Sequence, residues 1–119
     1  MYRILQLEDL PSDAYLVRRE VKKVLDPCEF QLVETKESFL AALLEFKPDL
    51  IISDVCIPGF DWHSALQLTI LHSPGTPFIV VSGTASEDLG MECINAGAMD
   101  YVCKDSIQKL GPVVLNALK

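Results

Sequence analysis

The sequence predicts a doubly wound α/β domain: an open parallel sheet with helices packed on both faces. Short apolar runs alternate with segments of helical period five times along the chain. Three of those runs are nearly continuous in Ile, Val, Leu and Phe, as expected of strands covered on both sides. Breakers fall between the two kinds of segment, so the connections are short and the crossovers right-handed.

The elements follow in order. Tyr2 to Leu7 reads as the first strand, and the helix after it carries the stripe Ala14, Val17, Val21 and Val24, opened at Pro11 and Ser12 and closed at Asp26-Pro27. Phe30 to Val33 leads to a helix with Phe39, Leu43 and Phe46, which Lys47-Pro48 ends. Leu50 to Ser53 precedes Trp62, Ala65, Leu66 and Thr69, bounded by Pro74-Gly75. Phe78 to Ser82 is followed by Ala85, Leu89, Cys93 and Ala96, stopped at Gly97. Tyr101 to Cys103 is the last strand, with Ile107, Leu110, Val114 and Ala117 forming the final stripe.

Size and charge narrow the function. A chain of 119 residues, 50% of them apolar, makes one domain over residues 1–119, able to fold without metal or disulfide staples. Ten basic against 17 acidic residues leave a net charge of −7, which repels nucleic-acid phosphates and anionic lipid. No apolar run approaches the roughly 20 residues that span a bilayer, and the opening segment carries Glu8-Asp9 where a signal peptide would be apolar. The expectation is a cytoplasmic protein with neither direct nucleic-acid contact nor membrane insertion. Cys28, Cys56, Cys93 and Cys103 have no zinc-site spacing and read as reduced thiols acting as small buried hydrophobes.

In a sheet of this class the ligand site lies beyond the carboxyl ends of the strands. Those ends carry Glu8-Asp9, Asp54, Ser82-Gly83-Thr84 and Lys104-Asp105. Each motif alone is ordinary, because acidic pairs cap helices and most lysines are surface residues. Together they bring three carboxylates to one edge, a repulsion that a hard divalent cation and a lysine would relieve. His63 and His72 read as structural or surface residues, and Trp62 as packing against the sheet or partly exposed at a helix start.

These residues resemble response-regulator receiver domains of two-component phosphorelays. The likeness runs along the whole chain: Glu8-Asp9; Leu50 to Asp54 followed by Pro58-Gly59; Val80 to Gly83; and Gly97 to Lys104. Asp9, Asp54, Ser82 and Lys104 follow one another at separations of 45, 28 and 22 residues, which are typical of receivers. The resemblance implies a flavodoxin-like (βα)5 fold with strand order 2-1-3-4-5. It also implies that Asp54 is the phosphoacceptor, and that Mg²⁺, or Mn²⁺ in its place, is held by Asp9, Asp54, the Cys56 carbonyl and, through water, Glu8. Ser82 and Lys104 would bind phosphoryl oxygens, and Ser82 and Tyr101 would form the switch, although the Tyr101 ring equally reads as a packed core or edge aromatic. The side chains of Cys56 and Thr84 would tune phosphate lifetime.

By the same resemblance the donor is a phosphohistidine on a histidine kinase or histidine phosphotransfer protein, and the output is a linked domain or partner protein. The chain would be a signalling switch that assists its own phosphorylation and slow dephosphorylation, rather than a metabolic enzyme. Its last segment resembles receivers of hybrid sensor kinases, so it is expected to be either a stand-alone shuttle or a module of a longer protein. Asp105 replaces the proline that usually follows the lysine, which predicts a trans Lys104-Asp105 peptide, cis being costly before a non-proline residue. An interaction module working without phosphorylation is the alternative, and the intact set Glu8, Asp9, Asp54, Ser82 and Lys104 argues against it. A phosphatase or flavin carrier is disfavoured by the absence of a glycine-rich loop after the first strand.

Overall fold

The computed structural model describes residues 1–55, 57–83 and 86–119. Five strands, β1 (Tyr2–Leu7), β2 (Cys28–Val33), β3 (Leu50–Asp54), β4 (Phe78–Ser82) and β5 (Asp100–Cys103), form one parallel sheet of order β2-β1-β3-β4-β5. The helices are α1 (Pro11–Val24), α2 (Lys36–Glu45), α3 (Trp62–His72), α4 (Glu87–Ala96) and α5 (Leu110–Ala117). The predicted fold class and strand order are those observed.

Alternation along the strands divides the core in two. Leu5, Leu7, Ile51, Phe78 and Val80 face α2, α3 and α4 and pack with Phe39, Leu66 and Cys93. Ile4, Leu50, Ile52, Ile79 and Val81 turn the other way, onto Val17 and Val21 of α1 and Leu110 and Val114 of α5. Trp62 is 5% exposed within the first cluster, which is the packed one of its two expected placements. His63 and His72 are exposed.

Helix ends have local causes. Pro11 opens α1, Thr35 and Ser38 form a capping box on α2, and Asp61 accepts the Ser64 N–H at 2.8 Å to cap α3. Ser86 accepts the Leu89 N–H to start α4, and Gly97, at φ 118°, closes it. Ala85, named as part of the fourth stripe, lies outside the described residues.

The last helix differs from its prediction. Lys104–Lys109 form a 3₁₀ segment with Ser106 out of helical geometry (φ −121°, ψ 41°), and α5 begins only at Leu110. Pro112 explains this. A helix running from residue 107 would bury Pro112 in its interior and lose a backbone bond, whereas a start at Leu110 keeps the ring in the first turn. Strands β2 and β5 begin at Cys28 and Asp100, two and one residues before their predicted starts, and β3 runs on to Asp54. Cys93 is fully buried, but Cys28 and Cys103 are half-exposed, because the outer strands β2 and β5 are covered less completely; all three are free thiols. Among the described residues Asp26-Pro27 is the one cis peptide, so Lys104-Asp105 is trans as predicted. Among the described residues no helix is long and apolar enough to cross a membrane.

Candidate functional site

Sheet register builds the site. Leu7 pairs with Ser53, so Glu8 emerges beside Asp54; Asp54 pairs with Val81, so Ser82 comes next; Ser82 pairs with Cys103, so Lys104 follows. Four strand ends thereby deliver the acidic pair, the central aspartate, the hydroxyl and the lysine to one edge, where β1 sits between β2 and β3 and the strand order reverses.

Glu8 is 4% exposed, Asp54 9% and Ser82 3%. One oxygen from each of Glu8, Asp9 and Asp54 can be chosen so that all lie within 4.8 Å of one another. The Glu8 carboxylate also accepts the N–H groups of Asp9 and Leu10, at 3.1 and 3.3 Å, which fixes it at the turn into α1. Burial, reinforced by the Asp54 charge and only partly relieved by Lys104, pushes the Glu8 carboxyl up to about 7. The Lys104 ammonium lies 2.7 Å from Asp13, 3.0 Å from Glu8 and 3.1 Å from Asp54. Burial opposes its charge, yet the bonds to Asp13 and Glu8 and the nearby Asp54 outweigh it and hold the lysine above its ordinary range.

This donor set fits a hard divalent cation: three carboxylates, with no sulfur or imidazole among the described residues of the cluster, and a buried acid whose charged form is disfavoured until positive charge arrives. Glu8, Asp9, Asp54 and Lys104 are thus brought together as predicted, with Ser82 beside them at the end of β4. Cys56 and Thr84, assigned to metal binding and phosphate lifetime, lie outside the described residues. Tyr101 is half-buried on β5 with its ring against Gly90 of α4. It lines an open groove of about 810 Å³ between α4, β5 and the 3₁₀ segment, with Met91, Ile94 and Lys109.

Asp13 was not anticipated from sequence. Its signal was faint: an acid in the first turn of the helix that follows the acidic pair, next to the buried Ala14. Gln6 was also missed. Fully enclosed in β1, it donates to the Ala14 carbonyl at 3.1 Å and accepts from Arg18 Nε at 2.6 Å, tying α1 to the sheet behind the site.

Comparison with known proteins agrees with this geometry. Residues 8–112 match the family model of the response regulator receiver domain. The chemotaxis protein CheY of Listeria monocytogenes is 26% identical over 96 residues, covering 78% of this chain and 81% of that protein. A protein-glutamate methylesterase/protein-glutamine glutaminase of Carboxydothermus hydrogenoformans is 33% identical over 100 residues, covering 78% of this chain but 28% of the longer protein. The receiver domain of Francisella response regulator 1452 superposes with a TM-score of 0.84 at 21% identity, covering 99% of this chain and 97% of that one, and so shares the fold. With the match spanning all four strand ends that build the site, the chain belongs to the receiver domains of two-component response regulators.

Proposed function

We propose that residues 1–119 form a receiver domain that takes a phosphoryl group from a phosphohistidine onto Asp54 and thereby switches a partner-binding face. The observation that carries this reading is Asp54 itself: a nearly buried carboxylate with two further carboxylates and a lysine ammonium gathered around it. An Asp54 carboxylate oxygen attacks phosphorus as the donor's P–N bond breaks; the imidazole leaves with the bonding electron pair and takes a proton from water. Glu8, Asp9 and Asp54 would hold Mg²⁺ or Mn²⁺, with the Cys56 carbonyl completing the protein ligands. When bound, the ion supplies positive charge against the equatorial oxygens. Lys104 and the Ser82 hydroxyl hold the transferred oxygens and add donors where charge develops.

The donor is a histidine kinase or histidine phosphotransfer protein, and the output a linked domain or separate partner. Phosphorylation adds nearly two negative charges and new acceptor oxygens, drawing Ser82 inward and making room for Tyr101 to turn. Cys56 and Thr84 offer no acid or amide to orient a hydrolytic water, so a Cys56→Asn, Thr84→Glu variant is expected to lose its phosphoryl group faster than wild type.

Intact-mass measurement after incubation with acetyl phosphate tests the reading. Uptake of one phosphoryl group is expected in Mg²⁺, absent with a chelator and absent in Asp54→Asn. Equal uptake by Asp54→Asn, or uptake indifferent to chelation, would overturn it.

A further inference from the structure

We propose that Asp13 is a positioning residue for Lys104: a fourth carboxylate, outside the cation cluster, that holds the lysine ammonium at the phosphoacceptor. The inference rests on the reading of Asp54 given above. An ammonium has three N–H donors and no acceptor. Lys104 directs its Nζ toward three carboxylates from three parts of the fold: Asp13 on α1, Glu8 after β1 and Asp54 at the end of β3. The contact with Asp13, at 2.7 Å, is the shortest and falls in the range of charge-assisted bonds.

The three partners have different obligations. Glu8 and Asp54 belong, with Asp9, to the group whose oxygens converge within 4.8 Å, and Asp54 is also the atom donor to phosphorus; Asp13 is not in that group. Among the described residues it is therefore the one partner that neither a cation nor a phosphoryl group would take away. Its anchorage suits the task. Asp13 sits in the first turn of α1, between Pro11 and the buried Ala14, so its backbone is fixed by packing on the sheet. The side chains of Asp13 and Lys104 are 25% and 17% exposed, which shields the pair better than an open surface ion pair.

Lysine is a point charge on a flexible four-carbon stem and does not orient itself. Held only by Glu8 and Asp54, the ammonium would lie over the oxygens that a cation must reach. Asp13 draws it to the α1 side, so that its other two N–H groups can turn to phosphoryl oxygens while one bond persists through the reaction.

The test uses the full chain with Asp13→Asn, Asp13→Glu, Lys104→Ala and the double variant Asp13→Asn, Lys104→Ala. The first readout does not involve phosphate: the ¹H–¹⁵N signal of the Lys104 ammonium. A protected, slowly exchanging signal is expected in wild type, lost to exchange in Asp13→Asn and regained in Asp13→Glu. A signal equally protected in Asp13→Asn would overturn the proposal.

The second readout is the rate of phosphoryl uptake from acetyl phosphate at saturating Mg²⁺. Asp13→Asn is expected to slow it about tenfold, the lower end of what loss of an orienting partner costs, with Mg²⁺ affinity held within about twofold. Adding Asp13→Asn to Lys104→Ala should bring no further loss. The same loss in both backgrounds would show that Asp13 acts on the fold or on net charge, against the proposal. Should wild type take up no phosphoryl group at Asp54, the proposed function fails, while the ammonium signal still decides the part played by Asp13.

Discussion

At the scale of single residues, the side chains that matter most are those whose partners are backbone groups or opposite charges. Asp61 caps α3 by accepting the Ser64 N–H, and that bond, ahead of the opposing effect of desolvation, holds its carboxyl below the ordinary range. A lowered carboxyl contributes stability above its unfolded value and loses it as pH falls through the folded one. Asp61→Ala should therefore cost about 1 kcal/mol at neutral pH, the usual worth of a cap, and Asp61→Asn much less. Denaturant titrations at pH 7 and in strong acid check this: the gap between wild type and Asp61→Ala should shrink once Asp61 is protonated. The cap was unread in the sequence because an aspartate before a tryptophan has no meaning until the helix start is known. Asp54 and Lys104 were legible for the opposite reason, each standing directly after a run of strand residues that fixes where it emerges.

At the scale of elements, two helical glycines make opposite predictions. A Cβ on Gly90, inside α4, would approach the Tyr101 ring at 3.2 Å, and that ring lies half-buried beside an open groove into which it can give way. Alanine there recovers up to about 1 kcal/mol of helix propensity. Gly90→Ala should thus be slightly stabilising while shifting the Tyr101 ring resonances. Gly111 is in the first turn of α5, where a Cβ would meet Val24 Cγ1 at 3.0 Å, with the Glu20 carbonyl at 3.8 Å behind it. A β-branched neighbour on a packed helix cannot rotate aside, so Gly111→Ala should cost about 1–3 kcal/mol, the usual range for overpacking. Thermal unfolding of the two variants should move in opposite directions. Helical stripes had located all five helices in the sequence, but the approach of α5 to α1 and the 3₁₀ entry before it arise from contacts between segments far apart in the chain.

At the scale of the whole molecule, the chain carries a net charge of −7, and three of its acids, Glu8, Asp9 and Asp54, converge at one edge of the sheet. Metal-free protein should accordingly be more stable when one of these acids is neutralised, and Mg²⁺ should reverse the order. Asp9→Asn is expected to unfold at a higher temperature than wild type in chelator and at a lower one in excess Mg²⁺. A ligand binding only the folded state at 100 times its dissociation constant adds about 2.7 kcal/mol. Curves that keep the same order in both conditions would speak against a cation at this cluster. The whole-molecule readout of switching is partner affinity with and without beryllium fluoride. The difference between the two states should diminish in Tyr101→Ala if the ring takes part.

The sequence by itself determined the alternation of strands and helices, the burial of the sheet on both faces and the positions of the acids and lysine at strand ends. Those features follow from periodicity and from the order of residues within single segments, and the register then needs only neighbouring strands to pair in parallel. The tertiary structure alone decided that Asp13 reaches Lys104 across 91 positions of sequence and that Gln6 is buried beneath α1. It also decided that the Tyr101 ring rests on Gly90. The physical reason is the same in each case: the partner is selected by how one helix seats on the sheet, and that angle is set by the packing of the entire core rather than by any local run of residues.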